Sequence, residues 1–304
     1  YFDIYLLQIK SKDMANKNSS EQIMAKIMKE IQSQNLQTED QINSFMNGLI
    51  GKNIDELDFG SGEELTNEEK AIELVDLAYE SSPKKGKELI EEALKLDPDN
   101  TDAYNYLGEI EHDISKSLVH YTKGIEAGER KLGKKFFKEN EGHFWLMIET
   151  RPYMRAKFNV ADTLALLNRD IEAVNHYVEM LGLNPSDNLG VRHELLSILL
   201  KNEAYDSCDE LIQEFPEEES SHWLYNVALY YFRIENPIKA RRILNMAKKA
   251  NQYVSKFLLG KKKLPTSLPE YISVGGVEEA ALYVAKNKHL WHATEGALQF
   301  LVSK

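Results

Sequence analysis

Cysteine occurs once in the 304 residues, at Cys208, so neither an intramolecular disulfide framework nor a Cys-rich zinc site can be built. Proline (8) and glycine (16) are too scarce for a disordered or collagen-like chain, and 42% hydrophobic residues supply a substantial core. No stretch reaches the roughly 18 apolar residues of a membrane span. The run Tyr1–Ile9 is short, contains Asp3 and has no basic region ahead of it, so it reads poorly as a signal peptide. Positive charge is in deficit: 37 Lys and Arg against 49 Asp and Glu give a net charge of -12, which argues against a protein that tracks a nucleic-acid backbone. The sequence also lacks His-Glu-x-x-His, the phosphate-cradling Gly-x-x-x-x-Gly-Lys, Gly-x-Gly-x-x-Gly and Gly-x-Ser-x-Gly. His112, His120, His143, His176, His193, His222, His289 and His292 are scattered without ligand spacing, so no metal or cofactor is expected. A cytoplasmic protein fits these absences best.

What is present is helical punctuation. Residues 1–13 precede the first methionine, Met14, and read as an upstream leader or fusion remnant. Residues 14–51 read as a small helical appendage. There, Ser19 with Gln22 and Thr38 with Gln41 have capping-box spacing, in which a hydroxyl accepts an N–H while the later side chain reaches back. Ile23, Ile27 and Ile31 recur every four residues, and Ile42, Phe45, Met46 and Leu49 make a second stripe. Residues 52–67 set Gly60, Ser61 and Gly62 among Asp55, Glu56, Asp58, Glu63 and Glu64, which is linker chemistry. Thr66 with Glu69 then opens the next helix.

From 68 to 250 the chain is self-similar. A small residue, a large one four later and a small one three further on recur as Gly86-Ile90-Ala93, Ser117-Tyr121-Gly124 and Ala240-Leu244-Ala247. Ala173-Tyr177-Met180 repeats the pattern with Met in the last place, and Ser207-Leu211 fits weakly. Pro98 and Pro185 stop two of these helices. Each is preceded by a partner stripe: Tyr104, Leu107 and Gly108; Val160, Ala161 and Leu164; Leu224, Val227, Ala228 and Tyr231. A small–large–small face lets a neighbouring helix approach closely. About 20 extra residues break the register at 128–150, with Phe136, Phe137, Phe144 and Trp145 among them.

Helical pairs recurring at about 34 residues resemble the tetratricopeptide repeat, over roughly 70–250 as five copies, two of them degenerate. The resemblance implies an all-α, right-handed superhelix of helical pairs, capped by residues 251–304, with a concave groove lined by the first helix of each pair. A generic helical bundle is the alternative. The closing segment is similar to that of the suppressor of tumorigenicity seven family, through Asn251, Val254, Leu258-Leu259, Leu264-Pro265, Pro269, Glu279-Ala280, Trp291 and Glu295-Gly296-Ala297-Leu298. The runs Glu149–Arg155 and Leu183–Asn188 look like bacterial repeat proteins that share this tail. Both resemblances imply fold, and neither supplies catalytic residues.

The pattern offers two candidate sites. Residues between the packing positions of the first helices give a partner groove of Asn105, Glu109, Phe158, Arg192, Tyr225, Leu229 and Phe232, suited to a protein or peptide segment. The competing reading has Leu229 and Phe232 covered by the C-terminal segment. The second site is the junction of His143, Trp145, Arg151, Tyr153 and Arg155. Arg151 and Arg155, four apart, share a helical face and could grip an anion. Its competing reading has Glu149 and nearby carbonyls neutralising both arginines, with Thr150 capping the helix. Cys208 reads as a buried thiol, and Asp97-Asp99-Thr101 as an inter-repeat turn with Asn100 or Thr101 capping the next helix. Lys261–Lys263 and Glu217–Glu219 read as solvated runs. The expected function is a noncatalytic protein-interaction scaffold, with an anion sensor at the His143–Arg155 junction as the alternative. The expected partner is a protein or peptide, with no nucleic acid and no membrane span, and a homo-oligomer is compatible with the pattern.

Overall fold

The computed structural model describes residues 21, 23–50, 64–266 and 271–303. The leader at 1–13, the Ser19–Gln22 capping box, most of the 52–67 linker and Pro269 lie outside the described residues. Among the described residues the fold is all-α, without strands. The chain packs as two units, Tyr1–Thr163 and Leu164–Lys304.

In the first unit, α1 (residues 21 and 23–33) and α2 (Glu39–Leu49) precede two helical hairpins and one further helix. These are α3 (Asn67–Glu80), α4 (Pro83–Leu96), α5 (Thr101–Ile110), α6 (Ile114–Glu139) and α7 (Arg151–Leu166). The capping boxes of Thr38 with Gln41 and of Thr66 with Glu69 both close reciprocally, which starts α2 and α3 at the expected residues. Asn100, rather than Thr101, caps α5 by accepting the Ala103 N–H. The neighbouring Asp97 and Asp99 are held by Lys131 and Arg130, as a turn between hairpins. Pairing of α3 with α4 and of α5 with α6, with α3 against α5, buries Ala71, Val75, Ala78, Ile90, Ala93 and Ala103.

Small residues let these helices touch. A β-carbon on Gly86 would lie 1.8 Å from the Tyr106 hydroxyl oxygen, and one on Gly108 would lie 2.3 Å from Cε1 of Tyr121. The extra residues at 128–150 do not leave the hairpin as a separate loop. Instead α6 runs on to Glu139 through a break at Gly133 (φ 75°), and Phe144 buries itself against Phe136, Phe137 and Tyr153. Thr150 does not cap forward. Its hydroxyl turns back to the carbonyls of Phe144 and Met147, tightening the turn before α7.

The second unit holds α8 (Asp170–Leu183), α9 (Val191–Lys201), α10 (Tyr205–Glu214), α11 (Ser221–Arg233), α12 (Pro237–Ala250), α13 (Val254–Leu258), α14 (Val277–Ala293) and α15 (Ala297–Val302). Ala173, Tyr177 and Met180, and Ala240, Leu244 and Ala247, are buried as their stripes require. In the weak copy the stripe is shifted by one residue. Cys208 is fully buried and Ser207 is exposed, so the thiol is the small packing residue on α10. Asn168, Glu203 and Glu235 close successive hairpin turns with φ of 57°, 55° and 55°. A side chain in that left-handed region costs about 1 kcal/mol or more, which glycine avoids. Glu203→Gly and Glu235→Gly should therefore each raise the melting temperature by a few degrees, about 1 kcal/mol at the midpoint. An unchanged or lower midpoint in thermal unfolding would remove the strain from these turns.

Candidate functional site

The expected groove residues of the second unit do not form one open surface: Tyr225 and Leu229 are buried, and Arg192 and Phe232 are half-buried. Helix α14 packs on α9 and α11, the first helices of their hairpins, and covers them. Tyr225 and Leu229 are fully buried; Tyr225 lies 5.6 Å from Tyr283 and 6.2 Å from Trp291, centroid to centroid. Phe232 stacks on Phe300 of α15 at 4.7 Å. Arg192 is spent on Asp187 and Glu218. The C-terminal segment thus covers Tyr225 and Leu229, and the groove reading of these two is corrected, while Phe232 is half-buried and lines a cavity of about 830 Å³ with Arg233, His289 and Thr294.

Buried amides, rather than apolar contact alone, register α14. Trp291 Nε1 donates to the Tyr283 hydroxyl, which donates to Oδ1 of Asn226. Asn226 Nδ2 donates to Ser197 Oγ, and Ser197 Oγ donates to Asn287 Oδ1. Asn287 Nδ2 lies 3.2 Å from Nε2 of His222 and also donates to the Tyr283 carbonyl. An amide nitrogen can only donate, so His222 Nε2 must be the unprotonated acceptor. His222 stacks on His193 at 5.1 Å. Burial pushes the His193 imidazole down to about 4, with the Arg192 charge adding to the effect. Burial likewise holds His222 well below its ordinary value, with His193 and Lys286 adding to it.

This buried pair makes stability depend on pH. Between pH 6.5 and about 4 the unfolded chain binds a proton at His193 that the folded chain refuses, so stability is present above pH 6.5 and is lost as pH falls through that window. The loss should be on the order of 3 kcal/mol, and His193→Gln with His222→Gln should flatten it. Equal slopes of stability against pH in the variant and the wild type would count against the buried neutral pair.

In the first unit the junction residues only partly converge. His143 is exposed and takes no part; Tyr153 is buried among Phe137, Phe144 and the α6 backbone and lines the same cavity as Arg155. Trp145 and the two arginines do come together. Arg151 lies over the Trp145 ring at 5.2 Å and donates to the Trp145 carbonyl at 3.2 Å. Arg155, only 5% exposed, forms a two-bond fork with Asp102, with Nη2 to Oδ2 at 2.7 Å and Nε to Oδ1 at 3.2 Å. Its third nitrogen donates to Oε2 of Glu21 at 2.7 Å, while the other oxygen of Glu21 lies 3.4 Å from Arg151. Burial alone would lower the guanidinium's pKa, but Asp102 and Glu21 outweigh it and raise it. The neutralising carboxylates are therefore Asp102 and Glu21, not Glu149, which is exposed.

Asn105 and Glu109 are buried, and Phe158 is half-buried. Asn105 donates to Asp102 and to the Pro152 carbonyl, tying α5 to the start of α7. It is a brace, not a groove residue.

Beside the arginines lies a cavity of about 270 Å³, whose walls include Ala25, Ile72, Asp76, Leu132, Ile148 and Pro152. Asp76 Oδ2 is buried there without a hydrogen-bond partner. Burial raises the Asp76 carboxyl to about 7, with Asp102, Glu80 and Glu73 adding to the rise and Lys26 of α1 opposing it. Glu21 and Asp76 were not marked in the sequence, and Asp102 was marked only as a groove position beside Asn105, because the partner that holds it, Arg155, lies 53 residues away. Neither known protein-family models nor curated proteins give a match to the chain. Among the described residues, no helix is long and apolar enough to cross a membrane.

Proposed function

We propose that the chain is a noncatalytic, tetratricopeptide-like interaction scaffold that takes a protein segment on the α3–α5–α7 side of its first unit. One observation carries the reading: Arg151 and Arg155 already hold a carboxylate, that of Glu21, at the edge of a cavity with apolar walls. A charged grip beside apolar wall is the chemistry by which peptide anchors are selected. The packing of α14 on α9 and α11 speaks for the first unit over that face. The noncatalytic part is supported by the state of the lone thiol. Burial pushes the Cys208 thiol up to about 12, away from the thiolate that nucleophilic chemistry needs.

The test is native affinity capture with the full chain as bait, beside Arg151→Gln. A partner retained by the wild type and lost by the variant, with unchanged melting, is the expected result. If every captured protein survives the substitution, the reading falls. A small anion taken by the same two guanidinium groups is the second reading, favoured by the fork geometry. Thermal stabilisation by short dicarboxylates at millimolar concentration, with no partner captured, would select it.

A further inference from the structure

Helix α1 touches the first unit in an unusual way for a packed element. None of its described residues is buried, and Met24 and Met28 are 46% and 50% exposed. Its attachment is charge together with a half-buried stripe of Ile23, Ile27 and Ile31. Glu21 bridges Arg151 and Arg155. Five residues on, Lys26 sits close enough to Asp76 to lower its pKa, and three further on Lys29 pairs with Glu69 at 2.7 Å. Glu21, Ala25 and Lys29 are spaced by four and so share a helical face, and Glu21 and Ala25 both line the cavity. The surface they meet has the opposite order: arginines at the α7 end, then carboxylates along α3.

We propose that α1 is an intramolecular stand-in for a partner helix, and that the surface it covers is built for an amphipathic helix with one acidic residue followed, five and eight positions later, by basic ones. This rests on the reading of that face as the partner site and adds which partner fits. Glu21 is the anchor, because its carboxylate meets two guanidinium groups in a mostly buried setting, whereas the Lys29–Glu69 pair is largely solvated and adds little. A plug held by charge and a half-buried stripe, with no fully buried side chain, is displaced more readily than a core helix such as α14. Asp76 gives the site a second preference. Its Oδ2 is unpaired even with Lys26 of α1 in place, so a partner donor that reaches it adds to the grip.

The experiment keeps the full chain and uses its own segment as probe. A labelled peptide of residues 19–36 is titrated against the wild type and against Glu21→Lys/Lys26→Glu/Lys29→Glu, all on exposed or half-exposed α1, with circular dichroism and melting as fold controls. The altered chain should bind the peptide at least tenfold more tightly than the wild type, since its own helix no longer competes. A peptide carrying Glu21→Lys should lose at least tenfold of that affinity, and so should the altered chain once Arg151→Glu is added. Equal affinity for both chains, or no saturable binding to the altered one, overturns the proposal. So does a wild-type dimer in light scattering that dissociates in the altered chain, which would make a second copy's α1 the occupant. If the peptide fails while capture of a partner still depends on Arg151, the stand-in idea is lost and the partner-site reading is kept. If both fail, both are lost.

Discussion

Arg155→Ala is expected to destabilise the first unit by about 3–5 kcal/mol, because it strands a carboxylate where water cannot reach it well. Arg155 is 5% exposed, and the side chain of Asp102 is 16% exposed. Glu21 can move out with α1 when its cation is lost. Asp102 cannot, because it stands in the first turn of α5 and accepts from Asn105, which in turn holds the Pro152 carbonyl. Removing both charges tells a different story. Arg155→Met with Asp102→Leu leaves nothing buried and unpaired, and should cost far less than the single change. The two units need not unfold together, so the measurement is hydrogen exchange on α5 and α7 rather than a single midpoint. A loss under 1 kcal/mol for Arg155→Ala would mean that the pair is solvated and that Glu21 is only a surface contact.

The helical character, the hairpin turns and most of the packing faces were legible in the sequence because each depends on residues within a few positions of one another. Thr66 and Glu69 are three apart, and Ser117, Tyr121 and Gly124 lie within two turns; local spacing carries that information. The one-residue error at Ser207 has a local cause too. A serine and a cysteine side by side are equally small, and only the packed structure shows that the thiol faces inward. The candidate sites were less legible because occupancy is not local. Tyr225 and Phe232 had the composition of a binding surface, but the helix that covers Tyr225 starts at Val277 and the aromatic ring on Phe232 is Phe300. Nothing in α11 distinguishes a groove waiting for a partner from one already filled. For the arginines the sequence located the cations correctly and assigned them the nearest acid, Glu149. The acids that hold them lie 53 and 134 residues from Arg155.

Gly108→Ala should be among the most damaging single substitutions in the chain, at about 3 kcal/mol or more, although it adds one methyl group to a helix. A β-carbon there would fall 2.3, 2.6 and 2.7 Å from three atoms of the Tyr121 ring. That ring is fully buried between α5 and α6, so it has no empty direction in which to swing. Relief requires the two helices to part, and parting them uncovers the contacts that join this hairpin to the next. Intrinsic helix preference points the other way, since alanine is favoured over glycine by about 1 kcal/mol. The contrast is provided by Gly182 on α8, whose β-carbon would meet nothing within 4 Å. Gly182→Ala should be neutral or mildly stabilising, and hydrogen exchange on α5 and α6 and on α8 measures each change within its own unit. Opposite signs at the two positions establish that close helix approach, not backbone freedom, is what glycine supplies at 108. Similar small effects at both would mean that Tyr121 can be displaced at little cost, and that the small–large–small stripe is a consequence of the pairing and not its cause.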